Sequence, residues 1–205
     1  MKWSDIYILV FQSSNDLSWR TAFSLHQRYA LPIEKMAIFC EGTDFYREQK
    51  KYTGFLSKST VSSKIIILAH GTEDYIDASP FGKMYPVELL SFLYDELGLL
   101  EAGLITFKSC NIGKGVFLEK CAQNCSLVFK DLKVGWWKGY TDICATHFIS
   151  NSCSFSSGTE DYKIRASNSA ENKLSDEIRL KFIKGNIAVN PLHCSSSRWQ
   201  RLLSL

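Results

Sequence analysis

Five short apolar runs, separated by segments of helical spacing, constrain this chain more than any other feature. They read "DIYILVFQ", "KMAIFC", "KIIILA", "GLITFKSC" and "KVGWW". Runs of this length, rich in β-branched and aromatic residues, are expected to form buried strands. Between the first two, "NDLSWRTAFSLHQRYA" carries Leu17, Ala22 or Phe23, Leu25 and Tyr29 at near-helical spacing. Asn15 or Asp16 supplies a cap, and Pro32 ends the helix. A shorter helix is expected within "DFYREQKKY". "YPVELLSFLYDELG" places Pro86 in a first helical turn, Gly98 just past the end, and Leu89, Leu90, Leu93 and Leu97 on one face. "VFLEKCAQNCSLVFKDL" forms the last helix. Strands alternating with helices predict a mostly parallel central sheet with helices on both faces. Continuous apolar runs suit strands covered on both sides, and the crossovers should be right-handed.

The last third changes character. Residues 138 to 176 are rich in Ser, Asn and charge, which predicts long loops. "EIRLKFIKGNIAV" then alternates at Ile178, Leu180 and Phe182 and turns through "KGN", which predicts a C-terminal hairpin added to the sheet or lying beside it. No repeat or low-complexity linker divides the chain, so residues 1–205 are expected to form a single domain large enough for its own core.

Several function classes lose support at this level. A net charge of +3 is too mild to argue for nucleic acid. The apolar runs are far shorter than the roughly 20 residues of a membrane span. The N-terminus has Asp5 ahead of a short apolar run and lacks a small-residue cleavage site, so it reads as a first strand rather than a signal peptide. The seven cysteines, at 40, 110, 121, 125, 144, 153 and 194, are odd in number and irregularly spaced. That pattern favours a reducing, cytoplasmic compartment over a disulfide framework. Cys121 and Cys125 would share one helix face, but no second pair of ligand spacing completes a zinc site, so both read as small core residues. No metal or organic cofactor is implied.

One run ends unusually. "IIILAHG" drives straight from apolar residues into His70 and Gly71. In open α/β sheets functional groups gather beyond the carboxyl ends of the strands. The next strand ends in "KSCNIGKG", which puts Cys110 among small residues and glycines, 40 positions after His70. That is one strand–helix–strand unit, so the imidazole and the thiol should reach adjacent loops. A thiol near its ordinary pKa is only a few per cent thiolate at neutral pH, and a neighbouring imidazole can take its proton. The thiolate can then attack a carbonyl carbon. The resulting oxyanion needs backbone donors, for which Gly71 and the Cys110 N–H are the candidates.

An apolar strand ending in His-Gly, a helix, and an apolar strand ending in a small residue and Cys resembles the clan CD cysteine peptidases. These include caspases, metacaspases, gingipain-like enzymes, separases and the self-processing protease domains of bacterial toxins. The resemblance covers residues 5 to 140, through "IIILAHGTED" and "LITFKSCNIGKG". Among these the pattern is nearest to bacterial caspase-like or toxin self-processing domains. It implies a three-layer caspase-like fold and a cysteine endopeptidase that passes through a thioester acyl-enzyme. His70 would be the base, Cys110 the nucleophile, and Gly71 part of the oxyanion hole. The caspase cysteine signature is absent: Lys108 stands where caspases have glutamine, and the glycine comes one position later, at Gly113.

The toxin-like group also uses an acidic residue upstream of the histidine. Asp44 is the match, with a turn or helix cap as its alternative. Trp136, Trp137 and Asp142 are candidates for the pocket that receives the side chain before the cut. Because neighbours on a strand alternate, one tryptophan should face the core and the other the site, with two packed aromatics as the equal alternative. The implied partner is a protein or peptide substrate. Residues 138 to 170 are expected to hold an exposed, protease-sensitive or self-cleaved segment. Two other functions fit the same residues: a catalytically silent peptide-binding module, and a thiol-dependent amide hydrolase acting on a small molecule. If the chain is a delivered bacterial effector, its reducing compartment would be that of a host cell.

Overall fold

The computed structural model describes residues 3–11, 21–23, 25–26, 29–39, 51–141, 146–149, 163–166 and 180–189. Among these residues, six strands form the central sheet: β1 (Asp5–Phe11), β2 (Met36–Phe39), β3 (Ser63–Leu68), β7 (Glu101–Lys108), β8 (Lys133–Tyr140) and β11 (Leu180–Lys184). Their order across the sheet is β11-β8-β7-β3-β1-β2. Pairings among β2, β1, β3, β7 and β8 are all parallel, and β11 joins β8 antiparallel at the edge. The expected alternation thus becomes a mostly parallel α/β sheet.

Both faces of the sheet are covered, which explains the unbroken apolar runs. On one face Leu9, Ile65, Ile67, Ile105, Phe107 and Trp137 pack against the helix α1 (Pro86–Ser91), the segment after it, and the helix α2 (Phe117–Leu127). On the other, Ile8, Val10, Ile66 and Leu68 meet Ala22 and Leu25 from helical residues 21–23 and 25–26. Each such side chain contributes about 1.5–3 kcal/mol when fully buried.

Local chemistry accounts for the element ends. Pro86 opens α1, where a missing N–H costs nothing. The helix does not run regularly to its end: it widens into a π segment, Phe92–Glu96. Gly98 then closes it in the left-handed region at φ +71°, as its sequence position predicts.

Three differences from the sequence reading follow from tertiary pairing. First, strand five extends to Tyr140, three residues past "KVGWW", because β7 and β11 pair along both its sides. Second, the region expected to be long loops contains a two-stranded antiparallel ribbon, β9 (Thr146–Ile149) with β10 (Lys163–Ala166). Third, of the expected hairpin only the first arm is a strand. β11 pairs with β8, the chain bends after Gly185, and residues 187–189 are not a second strand. Asn186 Oδ1 accepts from the Val134 N–H, so this turn is secured to the sheet instead of to its own return arm.

A small three-stranded sheet is a further difference from the sequence reading. β4 (His70–Gly71), β5 (Ile76–Asp77) and β6 (Lys83–Met84) form an antiparallel meander between β3 and α1. Two-residue strands are too short to carry a period-two signal.

Candidate active site

β3 and β7 are neighbours, and their register pairs Lys64 with Leu104 through to Leu68 with Lys108. The offset is 40 residues. His70 and Cys110 each lie two residues beyond the last pair, so they leave adjacent strands at the same level. Parallel strands run about 4.8 Å apart, which puts the two loops side by side.

Gly71 shows how close they come. A Cβ at that position would meet the Ser109 Cβ at 2.8 Å and the Cys110 carbonyl oxygen at 2.9 Å. Only glycine lets the histidine's loop lie against the Cys110 backbone. His70 is exposed, and Cys110 is half-buried and reduced.

The Cys110 turn is held from three sides. Asn111 occupies the left-handed region at φ 56°, a conformation asparagine tolerates better than most residues. The Gly113 N–H donates to the Tyr140 carbonyl at 2.7 Å, and a side chain at Gly113 would strike the Gly139 oxygen at 2.9 Å. Gly115 lies under the backbone of Glu73, 2.8 Å from its carbonyl oxygen by the same measure. Glu73 also pairs with Lys114 at 2.6 Å. The glycines of "NIGKG" thus let the cysteine's loop seat against β8 and against the loop after the histidine.

The sequence-predicted residues divide by position. His70, Gly71 and Cys110 come together. Trp137 is fully buried and stacks on Phe107, with ring centroids 6.3 Å apart. Trp136 faces the opposite side of the sheet, packed with Trp3, Leu104 and Phe182, and its Nε1 donates to the Val189 carbonyl. One tryptophan does face the core, but the register places the pair beside Leu104 and Ile105. That is five to six residues before Cys110, or about 16–20 Å along the strand. The β8 residue at the mouth of the site is Tyr140, whose hydroxyl accepts from Lys108 Nζ at 2.6 Å. Asp44 and Asp142 lie outside the described residues.

Two features escaped the sequence reading. The meander aligns His70 directly opposite Asp77. Beside it, a cavity of about 370 Å³ opens between Tyr75, Tyr85, Val87, Glu88, Lys120 and Asn124. Neither His70 nor Cys110 lines that cavity. Among the described residues, no group of three or more His, Cys, Asp or Glu is arranged to hold a metal, and no helix is long and apolar enough to cross a membrane.

No protein-family model matches the chain, and no curated protein matches it. It is similar in structure to two solved forms of a secreted C11 cysteine protease from Bacteroides thetaiotaomicron. One, in complex with an irreversible peptide inhibitor, is 10% identical with a TM-score of 0.38, over 68% of this chain and 49% of that one. The other, called iotapain, is 12% identical with a TM-score of 0.36, over 70% and 53%. The chain therefore spans about half the length of these structures. Likeness at that level decides nothing about chemistry, which must come from the site itself.

Proposed function

We propose that this chain is a cysteine endopeptidase of caspase-like type, with Cys110 as nucleophile and His70 as base. The observation that supports it is the shared level of His70 and Cys110 on adjoining strands, with Gly71 seated against the Cys110 backbone. In this reading His70 accepts the proton from the Cys110 thiol, and the thiolate attacks the peptide carbonyl. The N–H groups of Gly71 and Cys110 are the donors for the oxyanion. The His70 imidazolium then gives its proton to the departing amine, leaving a thioester. Water, deprotonated by His70, cleaves the thioester and restores the thiol.

The test needs no known substrate. Limiting iodoacetamide on the native chain, mapped by mass spectrometry, should label Cys110 ahead of every other cysteine. His70→Ala should slow that labelling near neutral pH. Labelling elsewhere with Cys110 untouched would refute the reading. The self-cleavage expected in residues 138 to 170 is part of the same proposal. Wild type should yield fragments cut there on incubation, and Cys110→Ala should stay whole.

A further inference from the structure

We infer that the ion pair between Glu73 and Lys114 is a clasp that holds the histidine's turn against the cysteine's turn, which makes both side chains positioning residues. The inference rests on the peptidase reading for its purpose, but its structural part is tested separately.

The argument begins with two closed turns. Just past Gly71, the Thr72 N–H donates to the Tyr75 carbonyl at 3.0 Å, and the Thr72 hydroxyl oxygen accepts from the Asp74 and Tyr75 N–H groups. Just past Cys110, the Lys114 N–H donates to the Asn111 carbonyl at 2.8 Å. Each turn is closed by its own hydrogen bonds, so each moves as a unit. Glu73 belongs to the first turn and Lys114 to the second.

Two contacts join them. Lys114 Nζ meets Glu73 Oε1 at 2.6 Å. The next residue, Gly115, approaches Glu73 so closely that a Cβ there would come within 2.8 Å of the Glu73 carbonyl oxygen and 3.0 Å of its Cβ. The cysteine's side of the clasp has a firm footing. The Gly113 N–H donates to the Tyr140 carbonyl on β8 at 2.7 Å. From β11, Lys181 Nζ donates to the Gly115 carbonyl at 2.8 Å and pairs with Glu119 of α2. The ion pair therefore ties the histidine's turn to a loop that is itself fixed to the sheet edge and a helix. The Glu73 and Lys114 side chains are 46% and 58% exposed, so the pair adds little to global stability. Its effect is local. Opening it lets the turn after His70 drift from Cys110, and a displacement of about 1 Å is enough to matter for proton transfer between positioned groups.

The experiment uses the full chain with Glu73→Gln, with Lys114→Gln, and with the reversed pair Glu73→Lys and Lys114→Glu. Solvent-exchange NMR reads the Thr72 and Lys114 amides, one in each turn. Glu73→Gln should speed exchange at the Lys114 amide, and Lys114→Gln at the Thr72 amide, each by about two- to five-fold, the range of an exposed pair. The reversed pair should recover most of the protection. Iodoacetamide alkylation of Cys110 at neutral pH should slow by a similar factor in both single variants and recover in the reversed pair. The sign separates a clasp from a direct charge effect: a carboxylate and an ammonium acting on the thiol through space would move alkylation in opposite directions. Amides of the opposite turn that do not respond overturn the inference, as does alkylation that moves oppositely in the two variants. Amides that respond while alkylation does not, in a chain where His70→Ala slows it, overturn the positioning role. Should either variant fail to fold, wild type at about 0.02 M and about 1 M salt decides in its place: screening should speed exchange at both amides, and protection indifferent to salt overturns the clasp. If alkylation is indifferent to His70→Ala as well, the peptidase reading fails, and the amides alone decide whether the clasp exists.

Discussion

Cys110 and the pair Cys121 and Cys125 carry the same side chain in opposite surroundings. Cys110 sits where β7 ends, half-buried in a turn bent by Asn111 and facing the loop of His70. Cys121 and Cys125 lie one helical turn apart on α2, fully buried against the sheet. Burial pushes the Cys125 thiol up to about 12, and pushes Cys121 well above the ordinary range, with Cys125 and Glu119 adding to the effect. A buried thiol without a cationic partner stays protonated and inert, whereas one at a strand end can be reached from solvent. What separates the proposed nucleophile from the space-fillers is the end of a strand against the inner face of a helix.

The sharpest way to break that contrast is to remove each thiol. Cys110→Ala should reduce turnover of a peptide or protein substrate by about 10,000-fold or more, with little change in the melting curve. Cys125→Ala should do the reverse: normal turnover per folded molecule, with about 1–2 kcal/mol of stability lost to the vacated space, read by urea denaturation. If Cys125→Ala abolished turnover in a folded chain, the contrast would collapse.

His70→Ala comes next. Loss of a general base costs about 100- to 10,000-fold in rate, or roughly 3–5 kcal/mol of barrier. Because the ring is exposed, the fold should hold. A large drop in melting temperature with nearly normal turnover would make the histidine structural and refute its assignment.

Gly71→Ala probes the contact between the two loops. The new methyl would collide with Ser109 and the Cys110 carbonyl, which are backbone or nearly so and can yield little. Displacing the histidine's loop by about 1 Å should cost on the order of 100-fold in turnover. The change should also slow Cys110 alkylation. Unchanged alkylation and turnover would mean that the two loops act independently.

The smallest effect concerns alkaline pH. The Cys125 thiol is raised from 9.0 to about 12 in the folded chain. Below pH 9 the thiol is protonated in both states, and its contribution is complete. Above pH 9 the unfolded chain releases the proton while the folded chain keeps it, so stability falls as pH rises, until the folded thiol also ionises near 12. The slope from this one group is about 1.4 kcal/mol per pH unit. Urea midpoints measured from pH 8 to 10.5 should fall less steeply in Cys125→Ala than in wild type.

Much of this architecture was legible without coordinates. Apolar runs such as "KIIILA" and "GLITFKSC" are the signature of strands covered on both faces, and Ile65 to Leu68 are indeed buried. Pro86 and Gly98 marked the ends of a helical segment because each does something few other residues do. The tryptophans show where such reading stops. Alternation assigned one of them to the core, but sequence has no measure of depth along a strand, and the register leaves both well below the mouth of the site. The π segment was equally hidden, since the apolar spacing of Leu89 to Leu97 suits a regular helix.

By itself the sequence determined which residues could carry chemistry and that they would leave consecutive strands. Hydrophobic periodicity is local, and a 40-residue offset between His70 and Cys110 is visible in the chain. Only the tertiary structure decided what surrounds them. The adjacency of β3 and β7, the seating of Gly71 on Cys110, the glycines of "NIGKG" against β8 and Glu73, and the alignment of Asp77 with His70 all depend on contacts between separate segments. Close approach of two backbones leaves no mark on either sequence beyond a glycine, and a two-residue strand leaves none at all.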